Sequence, residues 1–220
     1  MKDVTCDKLF CSFPLYLYEL FENSTYPWEI LPYISDYTKK IYDHCLKNGF
    51  TEFADGVLIG KDVSISEAAT IIAPSIIGHE SEIRPGAYIR GNVITGSRCV
   101  IGNSSEVKNS VILDHAQIPH FNYVGDSVIG NYAHLGAGAV CSNLKGDKTL
   151  VTVKTEPPIN SGLKKFGAIL ADHAEIGCGC VLNPGTVIGQ NTRIYPLISV
   201  RRVVPANSIM KSADCIVSIK

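Results

Sequence analysis

Residues 57–89 read Val57-Leu-Ile59-Gly-Lys-Asp-Val-Ser-Ile65-Ser-Glu-Ala-Ala-Thr-Ile71-Ile-Ala-Pro-Ser-Ile-Ile77-Gly-His-Glu-Ser-Glu-Ile83-Arg-Pro-Gly-Ala-Tyr-Ile89. Isoleucine recurs every six residues, at Ile59, Ile65, Ile71, Ile77, Ile83 and Ile89. Thr95 interrupts the series, and Ile101, Val107 and Leu113 resume it in phase. One-residue slips bring in Ile118 and Val124, then Ile129, Leu135 and Cys141, and Leu170, Ile176, Leu182, Ile188, Ile194 and Val200 step by six again. A helix needs a period of 3.6 and a hairpin strand a period of 2. Six fits a short strand followed by a turn, repeated. Three such faces make a coil of about 18 residues, and the coils stack as parallel strands about 4.8 Å apart. Gly60, Gly78, Gly102, Gly130, Gly136, Gly177 and Gly189 follow the aliphatic positions and are expected to take the corners.

The chain outside this repeat differs in kind. Of the 18 aromatic residues, 11 lie within residues 1–50, and 18 of the 19 glycines lie beyond residue 55. Residues 13–47 read as helical. Phe13, Leu17, Leu20 and Phe21 share one helix face, and Ile34, Tyr37, Ile41 and Cys45 share another. Pro14 and Pro27 suit first turns, and Gly49 suits a stop. These stripes are expected to pack on the repeat or on a partner chain. The organisation read from the sequence is thus an aromatic, helical segment over 1–55, a repeat domain over 56–205, and a tail over 206–220. A basic insertion at 142–167, with Lys145, Lys148, Lys154, Lys164 and Lys165, is expected to project from the stack as a substrate loop.

Composition excludes several classes. A net charge of −1 argues against binding a polyanion such as nucleic acid by bulk charge. No apolar run approaches the roughly 18 residues of a membrane span, and Asp3 and Asp7 interrupt any secretory leader. The eight cysteines are scattered, and the pair Cys178-Gly-Cys180 has no second pair to complete a zinc site. They read as reduced, mostly buried residues of a cytoplasmic protein.

The hexapeptide period resembles that of the hexapeptide-repeat acyltransferases. The resemblance sharpens at His120-Phe-Asn-Tyr123-Val-Gly125-Asp126-Ser-Val-Ile-Gly130 and Gly136-Ala-Gly138-Ala-Val-Cys-Ser-Asn143-Leu. Arg84-Pro-Gly-Ala and Glu106-Val-Lys108 stand upstream, and Ser161-Gly-Leu-Lys-Lys165-Phe-Gly-Ala168 stands downstream. Over roughly residues 55–205 these look like the acetyltransferase half of the bifunctional sugar-1-phosphate nucleotidyltransferase/acetyltransferases of the UDP-N-acetylglucosamine pathway. The resemblance implies an all-β, left-handed parallel β-helix, a homotrimer, and acetyl-CoA as co-substrate with no metal. The implied reaction is acetylation of an amino sugar phosphate like glucosamine 1-phosphate. Residues 1–55, with Gly49 alone among glycines, are too short for the family's nucleotidyltransferase half, so that activity is expected to be missing here and supplied by a separate partner.

Acetylating an amine requires a base, an oxyanion donor, cations for the phosphate and a groove for coenzyme A. Imidazole titrates near neutrality, so His120 is the candidate base. The resemblance assigns the substrate phosphate to Arg84 and Lys108, sugar contacts to Tyr123, Asn143 and, after a small gap, Lys148, and the oxyanion to the Ala137 N–H. Lys164 and Lys165 either meet coenzyme A phosphates or belong to a plain basic loop. Cys178 is either a groove residue or a buried apolar one. His134 stands where bacterial relatives place an asparagine, which leaves the sugar open.

Two rivals are weighed. His79, His115 and His120 match the spacing of the metal site of gamma-class carbonic anhydrases. However, two full coils put His79 and His115 roughly 9–10 Å apart along the axis, too far for one chain to hold one zinc with nitrogens at about 2.0–2.1 Å, so a neighbouring chain would have to donate a ligand. The other rival is a trimeric scaffold or regulatory partner of a sugar nucleotidyltransferase, docking through its aromatic segment.

Overall fold

The computed structural model describes residues 2–219. From Val57 onward the chain winds into a parallel β-helix whose first, second and third faces lie in sheets of nine, nine and seven strands. The first face begins with the hairpin Thr51–Ala54/Val57–Ile59 and continues through Ser75–Ile77, Val93–Thr95, Ser110–Ile112 and Val128–Ile129 to Val203–Val204. The second starts at Ser64–Ile65 and carries Glu82–Ile83, Val100–Asn103, Gln117–His120 and His134–Leu135. The third carries Tyr88–Ile89, Glu106–Lys108, Tyr123–Gly125 and Val140–Cys141. Ser208–Ser212 extends the second face and turns back as Cys215–Ser218.

The inward positions are the aliphatic residues of the repeat, and they form one fully buried core. At one place the register differs from the sequence reading. Ile112 pairs with Thr95 and Ile129 and points inward, whereas Leu113 lies in an outer cluster. The first slip therefore falls between Val107 and Ile112. Thr95, the polar interruption, is fully buried: its Oγ1 accepts the Gly78 N–H at 2.9 Å and its carbonyl accepts the Tyr16 hydroxyl at 2.6 Å.

The corner chemistry also differs from expectation. The left-handed conformation falls to non-glycine residues in the first-to-second corner. Asp62, Glu80, Arg98, His115, Tyr132, His173, Asn191 and Asn207 stack there with φ between 53° and 61°. The glycines just before them serve close approach instead. A Cβ on Gly78 would stand 2.1 Å from the Gly96 carbonyl oxygen, and one on Gly189 would stand 2.4 Å from the Ala206 nitrogen. The next coil lies against the backbone, so any side chain there would push the stack apart.

The first face is apolar on both sides. Leu58, Ile76, Ile94, Val111, Val128, Ile169 and Val187 point outward and are fully buried. Each would forgo about 1.5–3 kcal/mol if left in water. The N-terminal segment covers them with Leu17, Phe21, Trp28, Leu31, Ile34 and Cys45. That segment is a chain of short turns: 3-10 helices at Leu15–Leu17 and Pro27–Tyr33, and α-helices at Cys6–Leu9, Tyr18–Glu22, Ile34–Lys40 and Tyr42–Lys47. The two helical stripes read from the sequence face this cluster, so their partner is the repeat itself.

The 142–167 insertion does not project freely. It forms a hairpin, Thr152–Val153 against Ile159–Asn160, and its Val151, Val153 and Phe166 are fully buried in the same outer cluster. Phe166 lies 5.5 Å from Trp28, ring to ring. Asp172 fastens the segment to the stack. It is buried, and its carboxylate accepts the Cys11 N–H at 2.7 Å, the Asn131 N–H at 2.7 Å and the Asn131 amide at 2.9 Å.

Asp172→Ala leaves those donors without an acceptor. The expected cost is about 2–4 kcal/mol, a drop in melting temperature of roughly 5–10 °C for a chain of this size. Limited proteolysis should cut first within residues 1–50, and an unchanged melt with an unchanged digestion pattern would contradict the anchoring role.

Candidate functional site

The second-to-third corner gathers the sequence-predicted residues. Backbone bonds stack it in register: Phe121 N–H to the Asn103 carbonyl at 2.8 Å, Gly138 N–H to the His120 carbonyl at 3.0 Å, Gly179 N–H to the Ala137 carbonyl at 2.8 Å, and Leu197 N–H to the Cys178 carbonyl at 2.9 Å. Asn103, His120, Ala137 and Cys178 are therefore successive rungs of one column, about 4.8 Å apart. The imidazole of His120 is exposed. The Ala137 N–H, one rung on, donates to no group among the described residues. Glycines flank both Ala137 and Cys178, so backbone is presented openly along this edge. Cys178 is exposed, so it is not the buried apolar residue that the sequence also allowed. The other cysteines divide into Cys6, Cys45, Cys99, Cys141 and Cys180, which are buried, and Cys11 and Cys215, which are exposed; none is disulfide-bonded.

A buried asparagine fixes this corner. Asn122 accepts the His120 N–H through Oδ1 at 3.0 Å, and its amide donates to the carbonyls of Gly136 at 2.8 Å and Ala139 at 3.3 Å. It ties the His120 rung to the Ala137 rung, so the two groups keep a set spacing. The residue before Asn122, Phe121, holds φ at 53° and is 62% exposed, and Leu197, three rungs up, holds φ at 63° and is 83% exposed. Two bulky apolar residues thus stand in a strained conformation at the edge of the same corner.

On the third face, Lys108, Asn109 and Asn143 converge on one carboxylate, and Tyr123 reaches it through Asn143. Asp126 is buried, with φ at 48°, and accepts from the Asn143 amide, from the Asn109 amide at 2.9 Å and from the Lys108 ammonium at 3.5 Å. Burial, the Asp126 and Glu106 carboxylates push the Tyr123 phenol above its ordinary range, so it stays a neutral donor at neutral pH. Arg90 pairs with Glu106 at 2.5 Å beside them and lies 5.8 Å from the Tyr88 ring centre.

The remaining residues lie elsewhere. Arg84 sits on the second face, paired with Glu82 at 3.0 Å, and His134 sits on that face, 3.2 Å from Glu175. Lys148, Lys164 and Lys165 are exposed on the insertion. One chain therefore divides the set: Arg84 and His134 on the second face, Lys108, Tyr123 and Asn143 on the third, and His120, Ala137 and Cys178 on the edge between. His79, His115 and His120 do not meet. His79 accepts the Lys61 N–H at 2.8 Å, and His115 stacks on Tyr132 at 4.3 Å in the first-to-second corner. Among the described residues no group of three or more His, Cys, Asp or Glu side chains could hold a metal, and no helix is long and apolar enough to cross a membrane.

Residues 71–162 match the family model of the GMPPB C-terminal domain. A bifunctional sugar-1-phosphate nucleotidylyltransferase/acetyltransferase of Sulfurisphaera tokodaii is 40% identical over 70% of this chain and 39% of its own length. An Escherichia coli protein described as a putative uncharacterized acetyltransferase, YaiX, is 34% identical over 71% of this chain and 69% of its own. The chain belongs to the hexapeptide-repeat acetyltransferases. Its parallel β-helix is the left-handed one of that family. It matches the acetyltransferase region of the bifunctional relatives and spans less than half of their length. A solved putative acetyltransferase of Bacillus cereus is similar over 74% of this chain and 82% of its own, with 13% identity and a TM-score of 0.47.

Sequence reading missed Asp126, Asn122 and Asn109 as members of this candidate site. The signal was present: Asn109 and Asp126 recur at a coil's spacing just after third-face strands, where an Asx residue tolerates a left-handed corner. Asp126→Ala is expected to cost about 2–4 kcal/mol in reversible denaturant unfolding, since two amides and an ammonium lose their acceptor. Asp126→Asn, which keeps the corner and one acceptor oxygen, should cost less than half as much; equal losses would contradict the convergence described.

Proposed function

We propose that the protein is an acetyl-CoA-dependent N-acetyltransferase acting on an amino sugar phosphate of the glucosamine 1-phosphate type. The observation that carries this reading is the corner column. It sets an exposed imidazole at His120 one rung from the free N–H of Ala137, on a chain homologous to acetyltransferases of sugar phosphates.

The chemistry follows from that pair. The sugar amine attacks the thioester carbonyl and His120 accepts its proton. The Ala137 N–H donates to the carbonyl oxygen as negative charge builds there, a stabilisation that does not depend on a side chain. The carbon–sulfur bond then breaks, and His120 returns the proton to the leaving thiolate of coenzyme A. Tyr123, Asn143 and Lys108 hold the sugar and its phosphate, with Asp126 keeping Lys108 and Asn143 in place. Coenzyme A runs along the glycine-flanked edge past Cys178, with Lys164 and Lys165 as phosphate contacts and Lys148 at the acceptor side.

The division of residues between two faces supports a homotrimer. Arg84 and His134 face away from Lys108 and Tyr123 in one chain, so a closed pocket needs a neighbouring copy to bring a second face against the edge. His134, in place of the asparagine of bacterial relatives, would contact the sugar and set which hexosamine is accepted. A separate nucleotidyltransferase would use the acetylated product.

The test is coenzyme A release, with mass spectrometry of the product, from acetyl-CoA plus glucosamine 1-phosphate or galactosamine 1-phosphate. His120→Ala should lower turnover about 10²–10⁴-fold without shifting the melting temperature. No turnover by wild type with either acceptor would overturn the reading. In a dilution series activity per chain should fall as the trimer dissociates, and full activity from a monomer would overturn the shared site.

A further inference from the structure

The insertion hairpin builds a second basic recess, away from His120. Strand alternation drives Val151 and Val153 into the core and turns Thr152 and Lys154 outward. The hairpin is seated firmly: a Cβ on Gly185 would meet Val151 at 2.8 Å and the Thr152 carbonyl at 3.0 Å. Lys145, Asp147, Thr152, Lys154, Pro184 and Arg201 are among the residues that line a cavity of about 660 Å³, within the range of small-ligand sites. Pro184 and Arg201 follow third-face strands, Val181–Leu182 and Ser199–Val200. The recess therefore opens at the third-to-first corner, with the width of the third face between it and the His120 edge.

Its charge is unbalanced. Lys145 lies 3.5 Å from Asp147 and bonds Thr149 at 2.5 Å. The Asp147 carboxyl is held below its usual range by the Thr149 N–H and hydroxyl, so it stays ionised but turned to its own turn. Lys154 and Arg201 pair with no acid among the described residues. Two free cations, one of them a guanidinium with its forked donors, are matched to a phosphoryl group. The lining holds no aromatic ring on which a base would stack, so recognition falls on the phosphate.

We propose that this recess is a binding site for an organic phosphate, gripped by Lys154 and Arg201 with Lys145 at its rim. The phosphate belongs either to the nucleotide end of coenzyme A or to a separate phosphorylated metabolite. The recess and its separate-metabolite occupant do not rest on the acetyl-transfer reading; the coenzyme A occupant does.

Isothermal titration of wild type, Lys154→Ala, Arg201→Ala and, as a control cation elsewhere, Lys47→Ala would test it, with coenzyme A, dephospho-coenzyme A, glucose 1-phosphate and inorganic phosphate as probes at fixed ionic strength. About tenfold weaker binding of at least one probe is expected in each recess variant, with no change in Lys47→Ala. A loss for coenzyme A but not for dephospho-coenzyme A would identify the coenzyme's own 3′-phosphate as the occupant. A loss for glucose 1-phosphate with coenzyme A unchanged would identify a separate metabolite. Unchanged binding of all four probes, in variants with wild-type melting temperatures, would overturn the site. Running the same titrations on His120→Ala separates this outcome from failure of the acetyltransferase reading, because the recess should bind equally well there.

Discussion

Every coil lies directly on the backbone of the next, and the rest of the structure depends on that contact. The glycines before the corners mark where it is closest: at Gly102 an added Cβ would stand 1.6 Å from the Pro119 carbonyl oxygen. Because strands bond only to the coils above and below, position along the axis is set by register and not by loop geometry. Polar side chains pass hydrogen bonds from coil to coil inside the corners: beneath the His120 edge the Ser105 hydroxyl accepts the Asn122 N–H, and the Asn122 amide donates to the Gly136 carbonyl. The stack is thus a ruler, and functional groups placed at coil spacing come out at fixed separations.

The three faces of this ruler are used differently. The first is apolar on both sides and is consumed by packing: Trp28 and its neighbours from one end of the chain, and Phe166 from the insertion, cover it together. The second and third faces stay open, and they carry charge. Covering one face decides where chemistry can happen, since the edge between the two open faces is the edge that displays His120 and the Ala137 N–H.

Much of the fold was legible because six-residue spacing has few physical solutions. The inward series from Ile59 to Val107 was read in its true register, and the helical stripes at Leu17, Leu20 and Phe21 and at Ile34, Tyr37 and Cys45 turned out to be buried faces. Leu113 was misplaced because an aliphatic residue on either side of the backbone looks alike when both sides are buried; Ile112 is the inward one. The corner glycines were assigned to turning, whereas it is their lack of a Cβ that matters, and the left-handed conformation falls to residues such as His115 and Tyr132. The outward stripe Leu58, Ile76, Ile94 and Val111 was present at coil spacing and went unread, which is why the insertion was expected to project.

For the site, the sequence by itself offered a cast through its likeness to a known family: a histidine, an alanine and a cysteine, and a lysine, a tyrosine and an asparagine near them. Periodicity accounts for the first three sharing an edge, because equal phase in a stacked coil means the same column. Only the tertiary structure decided which of these share a face and what restrains them. Asp126 draws Lys108, Asn109 and Asn143 to one carboxylate, while Arg84 and His134 turn away onto another face. Side-chain direction at a corner depends on backbone angles and on the buried partners that lock them, and neither is encoded in spacing alone.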